Sequence, residues 1–168
     1  MSGLRAALAG AALALLASSA LAQDLVVVGR DGASKTFTAE DLAKLPRSSV
    51  EVAWGGAKHV FEGPKIAYVL RAAGAPVGAR MHGDPMTTYV TVTGADGFVG
   101  LYSLPELDDF FHDGPAVLAD TEDGAKLSGK YAPYRLVMGG DRKPWRSAYG
   151  VVRIELHPVA APPMADAH

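Results

Sequence analysis

The chain contains no cysteine among its 168 residues, and this absence excludes several kinds of structure and chemistry. It cannot form a disulfide framework, a cysteine-based zinc site or an iron–sulfur cluster, and it has no thiol nucleophile. Any bound metal must therefore be held by nitrogen or oxygen atoms. The missing disulfides are no obstacle to folding, because a domain of roughly 150 residues buries enough apolar surface without them.

The chain also lacks an excess of basic residues and a long apolar segment after its first residues. Lys plus Arg number 16 against 18 Asp plus Glu, which gives a formal net charge of −2. The basic residues are scattered, so the sequence has no electrostatic surface suited to the phosphate backbone of nucleic acid. No segment after residue 22 approaches the length of a membrane helix. We therefore expect no nucleic-acid partner and no membrane span in the mature chain.

The first 22 residues have the features of a secretory signal peptide. Arg5 precedes an apolar run over residues 6–17, and residues 20–22 (ALA) provide a cleavage site before Gln23. The run is short for a bilayer span, although a retained anchor is the alternative. The sequence therefore predicts a protein of the periplasm or the exterior, with a mature chain that begins at Gln23.

Short strand patterns dominate the rest of the chain. Apolar or alternating runs predict strands over residues 24–29, 34–37, 50–54, 58–61, 88–93, 98–102, 116–120, 134–138 and 150–156. Glycine-containing turns separate several of them, at residues 30–32, 55–56 and 94–97. No internal repeat or linker divides the chain, so we expect one domain.

Capping pairs mark two of the short helices expected between the strands. Thr38 followed by Asp41 predicts an N-cap and a helix that ends near Leu45. Ser103 and Glu106 have the spacing of a capping box and predict another short helix.

The clearest helix is predicted over residues 64–73. Pro64 is expected at its first position, apolar residues recur at spacings of three and four, and Gly74 lies just beyond its end. Many strands and few helices predict an α+β fold with a mixed or antiparallel sheet. The domain is expected over residues 23–157, followed by a disordered tail over residues 158–168.

Several short motifs occur in order along the predicted domain. They are residues 61–64 (FEGP) followed by 66–76 (IAYVLRAAGAP), 95–98 (ADGF) before 102–104 (YSL), 134–137 (YRLV), and Trp145 followed by 152–156 (VRIEL). Their order over residues 24–157 resembles that of the sulfite-oxidase-type molybdopterin-binding domain family. The resemblance implies the mixed α+β fold of that family and a molybdopterin cofactor.

The resemblance also implies a cysteine ligand for molybdenum, upstream of the aromatic-x-Gly motif. The corresponding residues 50–56 read VEVAWGG and contain none. Thiolate is the protein donor that suits a soft molybdenum–dithiolene centre, whereas the hydroxyls of Ser48 and Ser49 are poor donors. The resemblance therefore implies the fold of the family, while the ligand needed for its redox chemistry is missing.

Other patterns of metal binding and catalysis are not found in the sequence. The five histidines show no i, i+4 pair, no H-x-H and no HExxH, so each is expected on the surface or in the core. Residues 120–124 (DTEDG) resemble the start of a calcium loop, but Tyr131 stands where the closing glutamate is required. We interpret them as a hairpin turn. No G-x-S-x-G elbow or phosphate-binding loop occurs, and the sequence predicts no metal site.

A basic segment with an aromatic residue is the strongest candidate for binding. Arg135 precedes residues 139–146 (GGDRKPWR), whose candidates are Arg142, Lys143, Trp145 and Arg146. Guanidinium groups, glycine amides and an indole suit an anionic or planar ligand, such as a pterin phosphate or a small oxyanion. A solvated surface loop is the alternative. Further candidates for the same pocket are Trp54, His59, Arg80 and His82.

Three hypotheses for function remain open at this point. The favoured one is an exported binding protein that uses the fold without molybdenum, as an accessory of periplasmic redox metabolism. Its partner would be a small anionic ligand or a periplasmic redox protein. The second is a molybdopterin-dependent oxidoreductase with atypical metal ligation, and the third is a structural interaction domain. Convergence of Trp54, His59, Arg135 and Arg146 on one concave pocket would favour the first hypothesis.

Overall fold

The computed structural model describes residues 23–160, so the predicted signal peptide and residues 161–168 of the predicted tail lie outside the described residues. Eleven strands and two short α-helices follow one another along this part of the chain. The strands are β1 (Leu25–Val28), β2 (Ser34–Phe37), β3 (Arg47–Trp54), β4 (Ala57–Pro64), β5 (Thr88–Gly94), β6 (Val99–Ser103), β7 (Ala116–Ala119), β8 (Thr121–Glu122), β9 (Ala125–Lys126), β10 (Arg135–Met138) and β11 (Val151–Pro158). The helices are α1 (Ala39–Ala43) and α2 (Ile66–Ala72), and neither is long and apolar enough to cross a membrane.

The strands form three sheets, which confirms the predicted α+β class with mixed and antiparallel pairing. The largest sheet has the order β2-β1-β11-β5-β6, in which β1 and β11 are parallel and the other neighbours are antiparallel. Strands β3, β4, β8 and β9 form an antiparallel sheet, and β7 pairs with β10 in a separate antiparallel sheet. Residues 120–124 lie in the β8–β9 hairpin, as predicted.

Strands β7 and β10 lie between two hydrophobic cores, because their side chains alternate between the two faces of the pair. On one face, Leu118 and Leu136 belong to the larger core, with buried side chains of the five-stranded sheet and of α2. On the other face, Val117 and Val137 belong to a smaller core that contains Phe61 of β4. A polar side chain on either face of this pair is therefore buried and needs a specific partner.

Gly63 allows β4 to cross β7 at close range. A Cβ atom at this position would lie 2.1 Å from the carbonyl oxygen of Leu118 and 2.7 Å from the Cα of Ala119. Both contacts are with backbone atoms, which cannot rotate away. This packing explains the glycine of the FEGP motif in physical terms.

The capping predictions are confirmed at the level of side-chain contacts. Thr38 Oγ1 accepts a hydrogen bond from the Asp41 N–H, and the Asp41 carboxylate accepts one from the Thr38 N–H. The equivalent contacts form between Ser103 and Glu106. The helix predicted at Ser103 and Glu106 is only a single 3₁₀ turn over Pro105–Leu107, however, because the backbone becomes extended at Asp108.

The prediction that Pro64 begins the second helix is wrong. Pro64 is the last residue of β4, where it pairs with Arg47 of β3, and α2 begins at Ile66. The backbone N–H of Lys65 donates to the carbonyl of Pro46, so tertiary pairing holds the chain extended up to this point. At the other end of the chain, β11 continues to Pro158, one residue beyond the predicted end of the domain.

Candidate functional site

Arg135 carries its charge into the smaller core. It is the first residue of β10, and only 1% of its surface is exposed. Its side chain lies on the same face of the strand as Val137, because the two residues are two positions apart. Pairing with Ala119 of β7 and a further backbone bridge to Tyr149 fix its position.

Aromatic rings surround the guanidinium group. The Arg135 Cζ lies 4.6 Å from the ring centroid of Trp54, 4.7 Å from Phe61 and 4.7 Å from Tyr149, with Tyr131 at 5.9 Å. The faces of aromatic rings attract a cation, and the attraction is worth about 2 kcal/mol or more per desolvated contact. We refer to these four rings as the aromatic cage.

No carboxylate pairs with Arg135 within the described residues 23–160. The one hydrogen bond that this part of the chain gives its guanidinium runs from Nε to Ser147 Oγ, at 2.9 Å. Burial lowers the pKa of Arg135 from its ordinary value, and the electrostatic influence of Tyr149, Glu122 and Tyr131 opposes this shift only in part. The aromatic cage stabilises the charge in part, and the Nη nitrogens remain available as hydrogen-bond donors.

A small cavity adjoins Arg135. Its volume is about 10 Å³, which is room for one water-sized occupant. Arg135 lines it together with Asp141, Pro144 and Ser147 of the loop over residues 139–147. An occupant of this cavity would therefore meet the Arg135 cation, the Ser147 hydroxyl and the Asp141 carboxylate, which is itself paired with Arg146.

Arg146 lies in a different network and does not line this cavity. Its Nε and Nη2 donate to the two oxygens of Asp141, each at 2.9 Å, and its Nη1 pairs with Glu106. The hydrogen bonds to Asp141, followed by those to Glu106, raise the pKa of Arg146. The Tyr102 hydroxyl donates to the Arg146 carbonyl. Arg146 therefore fastens its loop to the body of the domain.

The remaining basic and aromatic candidates lie on the surface. Arg142, Lys143 and Trp145 are exposed on the loop over residues 139–147, and Trp145 is 81% exposed. Arg80 lines a separate open cavity beside the C-terminal end of α2, and His82 is exposed nearby in the chain. The structure thus places Trp54 against Arg135 and His59 against Trp54, but of all the candidates Arg135 alone lines this cavity. The expected convergence of Trp54, His59, Arg135 and Arg146 on one pocket is not found.

His59 lies beside the cage, on β4. Its ring centroid is 5.4 Å from that of Trp54, and its Nδ1 lies 3.2 Å from Glu122 Oε1 and 3.1 Å from Asp123 Oδ2. The Val60 N–H donates to Asp123 Oδ1, and this hydrogen bond lowers the pKa of Asp123, with a further contribution from His59. Two carboxylates therefore converge on one imidazole nitrogen.

Sequence reasoning missed several members of this site, which are Phe61, Ser147, Tyr131, Tyr149, Glu122 and Asp123. Phe61 was noted as part of a motif, and residues 120–124 as a turn, without a role for either in binding. Tyrosines in loops that flank a buried arginine are the available signal, because tyrosine combines an apolar ring with a polar tip. This sequence signal is weak, because it does not show which tyrosine rings contact Arg135.

The residues present do not fit a molybdopterin centre. The stretch where the resemblance implies a cysteine ligand forms the end of β3 and the turn to β4, and Val50 and Val52 there are buried in the smaller core. The chain has no thiolate donor at any position. The cavity at Arg135, at about 10 Å³, is far below the roughly 300–1,000 Å³ of sites that enclose organic ligands.

Comparison with known proteins supports a distant relationship of fold. No family model matches the chain, and no curated protein matches it. Among solved structures, the chain is similar to the sulfane dehydrogenase SoxCD from Paracoccus pantotrophus, at 19% sequence identity and a TM-score of 0.57. The match covers 80% of this chain and 38% of that chain, so the chain spans less than half the length of its structural neighbour. At this identity the likeness shows a shared fold alone.

Proposed function

We propose that this domain is a binding module for a small inorganic anion, with Arg135 as the binding group. The observation that carries the proposal is a buried guanidinium that makes no ion pair within the described residues, beside a cavity that it lines. Asp141 also lines this cavity, but its carboxylate oxygens pair with Arg146. A buried cation that lacks a counter-charge carries a desolvation penalty of several kcal/mol. A bound anion would supply the missing charge and accept hydrogen bonds from the Nη nitrogens.

The size of the cavity sets the class of ligand. A volume of about 10 Å³ holds at most one water-sized group, so a small monatomic anion requires the least expansion of the cavity. A tetrahedral oxyanion requires outward movement of the loop over residues 139–147. That movement is opposed by the hydrogen bonds of Arg146 to Asp141 and Glu106. We therefore propose that affinity falls as the anion becomes larger.

The proposed role is that of an exported accessory protein in redox metabolism. Support comes from the predicted signal peptide, from the motifs that resemble the sulfite-oxidase-type family, and from the fold shared with a sulfane dehydrogenase. A protein with this fold and no thiolate donor would bind an anion or present it to a redox partner. The alternative, a molybdopterin-dependent oxidoreductase with atypical ligation, lacks a fitting donor set.

Thermal unfolding in graded anion concentrations tests the anion proposal. Chloride, nitrite and sulfate would be compared at constant ionic strength, with gluconate as the balancing anion. We expect stabilisation by chloride that grows with the logarithm of its concentration and reaches about 2.7 kcal/mol at a hundredfold excess over Kd, a smaller effect of nitrite and little effect of sulfate.

Arg135→Met should abolish the stabilisation, and Arg153→Gln, which removes an exposed arginine on β11, should retain it. Equal responses of the wild type and Arg135→Met would overturn the proposal. Metal analysis of protein purified from its native source tests the alternative separately, because stoichiometric molybdenum would show that the cofactor is held without a cysteine.

A further inference from the structure

The pairing of β4 with β8 places three metal-ligating side chains at one corner of the sheet. In the register of these strands, Phe61 lies opposite Glu122, so their side chains project from the same face. His59 is two positions before Phe61 on β4 and shares that face. Asp123 follows Glu122 as the first residue of the β8–β9 turn. We refer to His59, Glu122 and Asp123 as the hairpin triad.

Backbone hydrogen bonds fix the turn that carries two of these ligands. The Asp123 N–H donates to the Val60 carbonyl at 2.8 Å, and the Val60 N–H donates to Asp123 Oδ1 at 2.8 Å. The second carboxylate oxygen, Oδ2, is the one that faces His59. The position of the Asp123 carboxylate is therefore fixed by backbone pairing with β4.

Two of the three distances between donor atoms match the spacing around a small divalent ion. His59 Nδ1 lies 3.2 Å from Glu122 Oε1 and 3.1 Å from Asp123 Oδ2, and all three donors lie within 4.8 Å of one another. A tetrahedral zinc ion with bonds of about 2.0 Å holds its donor atoms about 3.3 Å apart. The imidazole Nδ1 can donate a hydrogen bond to only one of the two carboxylate oxygens at a time. A metal ion placed between the three donor atoms would be coordinated by all of them.

The charge of the triad also favours a divalent cation. Two carboxylates face a single imidazole, so their charge exceeds what a protonated histidine can balance. Glu122 does interact electrostatically with Arg135, but that guanidinium makes no ion pair within the described residues. The side chains of His59 and Glu122 are 24% and 27% exposed and that of Asp123 is 51% exposed, so the corner is open to ions from solvent.

We propose that the hairpin triad is a binding site for one divalent transition-metal ion, with Zn²⁺ as the best fit. One imidazole nitrogen and two carboxylate oxygens form a donor set that suits Zn²⁺, Co²⁺ and Ni²⁺ better than Ca²⁺ or Mg²⁺, which take oxygen ligands. Three protein ligands leave a fourth position for water or an exogenous ligand. None of the three ligands lines the cavity at Arg135, so the two proposed sites can be tested separately.

Calorimetric titration of the untagged full chain with zinc acetate near neutral pH tests the proposal directly. We expect one saturable Zn²⁺ per chain that excess Ca²⁺ does not displace, and an affinity that falls at acid pH as the ligands become protonated. His59→Gln should weaken binding by at least the roughly 10- to 100-fold that follows loss of a supporting group at a metal site. His157→Gln is the matched control, because His157 lies on β11 and contacts Tyr89 and Thr91 instead.

Tryptophan fluorescence gives a second, local readout. Trp54 and Trp145 are the two tryptophans of the chain, so a Trp145→Phe background leaves Trp54, whose ring lies 5.4 Å from that of His59. Paramagnetic Co²⁺ at the triad should quench Trp54 strongly, and excess Zn²⁺ should restore the signal.

Three results would overturn the proposal: no saturable Zn²⁺ binding, binding that His59→Gln leaves unchanged, or Co²⁺ that does not affect Trp54. If His59→Gln unfolds, Glu122→Gln and Asp123→Asn replace it, with circular dichroism to check the fold. Arg135→Met should retain Zn²⁺ binding, so failure of the anion site and failure of the metal site give different results.

Discussion

Replacement of Arg135 by methionine tests how the buried charge is stabilised. Three aromatic faces lie within 4.7 Å of the guanidinium carbon. If each contributes about 2 kcal/mol and the hydrogen bond to Ser147 about 1.5 kcal/mol, Arg135→Met forfeits roughly 7.5 kcal/mol. It also removes a desolvation penalty of several kcal/mol, and the flexible methionine side chain fills most of the vacated space. We therefore expect the free energy of unfolding to change by no more than about 2 kcal/mol in buffer without a small anion.

Urea denaturation followed by circular dichroism measures this change, and urea is the appropriate denaturant because it adds no ions. The comparison requires equal m-values for the two proteins, so that a shift of midpoint reports stability. Arg135→Lys is the informative companion. Lysine keeps the charge but loses the planar group that stacks on rings, so this variant should be less stable than Arg135→Met.

A loss of more than about 4 kcal/mol in Arg135→Met without any anion would refute this reasoning. That result would mean that the aromatic cage alone more than compensates the buried charge. Arg135 would then be a structural cation, and the argument for a missing counter-charge would fail with it. A stability close to that of the wild type, together with loss of the anion response, would support a role in binding.

Two further predictions concern packing and acid stability. Gly63→Ala should destabilise the fold by about 3 kcal/mol or more, because its Cβ would lie 2.1 Å from the carbonyl oxygen of Leu118. Urea denaturation should show a lower midpoint for this variant. An unchanged midpoint would contradict the close crossing of β4 and β7. At Glu106, burial raises the carboxyl pKa, but hydrogen bonds from Ser103 and Arg146 outweigh burial and lower the pKa overall. The ionised Glu106 carboxylate therefore stabilises the fold fully above its unfolded-state pKa of about 4.3. This stabilisation is lost as pH falls through the lower folded-state pKa. Arg146→Met should reduce the loss of unfolding free energy at acid pH. An unchanged pH dependence would contradict the role of Arg146 in lowering the pKa of Glu106.

The local features of the fold could be predicted from the sequence. Alternating apolar residues on both sides of residues 94–97 gave β5 and β6, and the spacing of Thr38 and Asp41 gave the start of α1. The end of β4 at Pro64 could not be predicted in the same way. It depends on pairing with Arg47, seventeen positions earlier, and on the hydrogen bond from Lys65 to Pro46, which no local pattern encodes.

The candidate site was predictable only in part, for a related reason. Arg135 was identified from its position in a basic segment, yet its surroundings come from strands far away in sequence. Trp54 and Phe61 reach it across the smaller core, 81 and 74 positions earlier in the chain. Arg146 belongs to the same segment but pairs with Glu106, forty positions earlier, and does not line the cavity at Arg135. The residue types indicated that both arginines could bind an anion. The contacts in the fold decided that Arg146 is paired with carboxylates and that Arg135 is buried without an ion pair in the described residues.

Arg135 and Arg146 have opposite electrostatic surroundings. This difference is the basis on which the proposed anion site would select small ligands. Arg146 is satisfied by two carboxylates and holds residues 141–146 as a fixed wall. Arg135 has aromatic faces and a hydroxyl, so its charge is tolerated without being neutralised. Because Ser147 directly follows Arg146 and accepts the hydrogen bond from Arg135, the position of the wall and the orientation of the buried guanidinium are coupled through adjacent residues. A ligand that requires outward movement of residues 141–146 would have to break the ion pairs of Arg146, and this requirement is the physical basis of the proposed size limit.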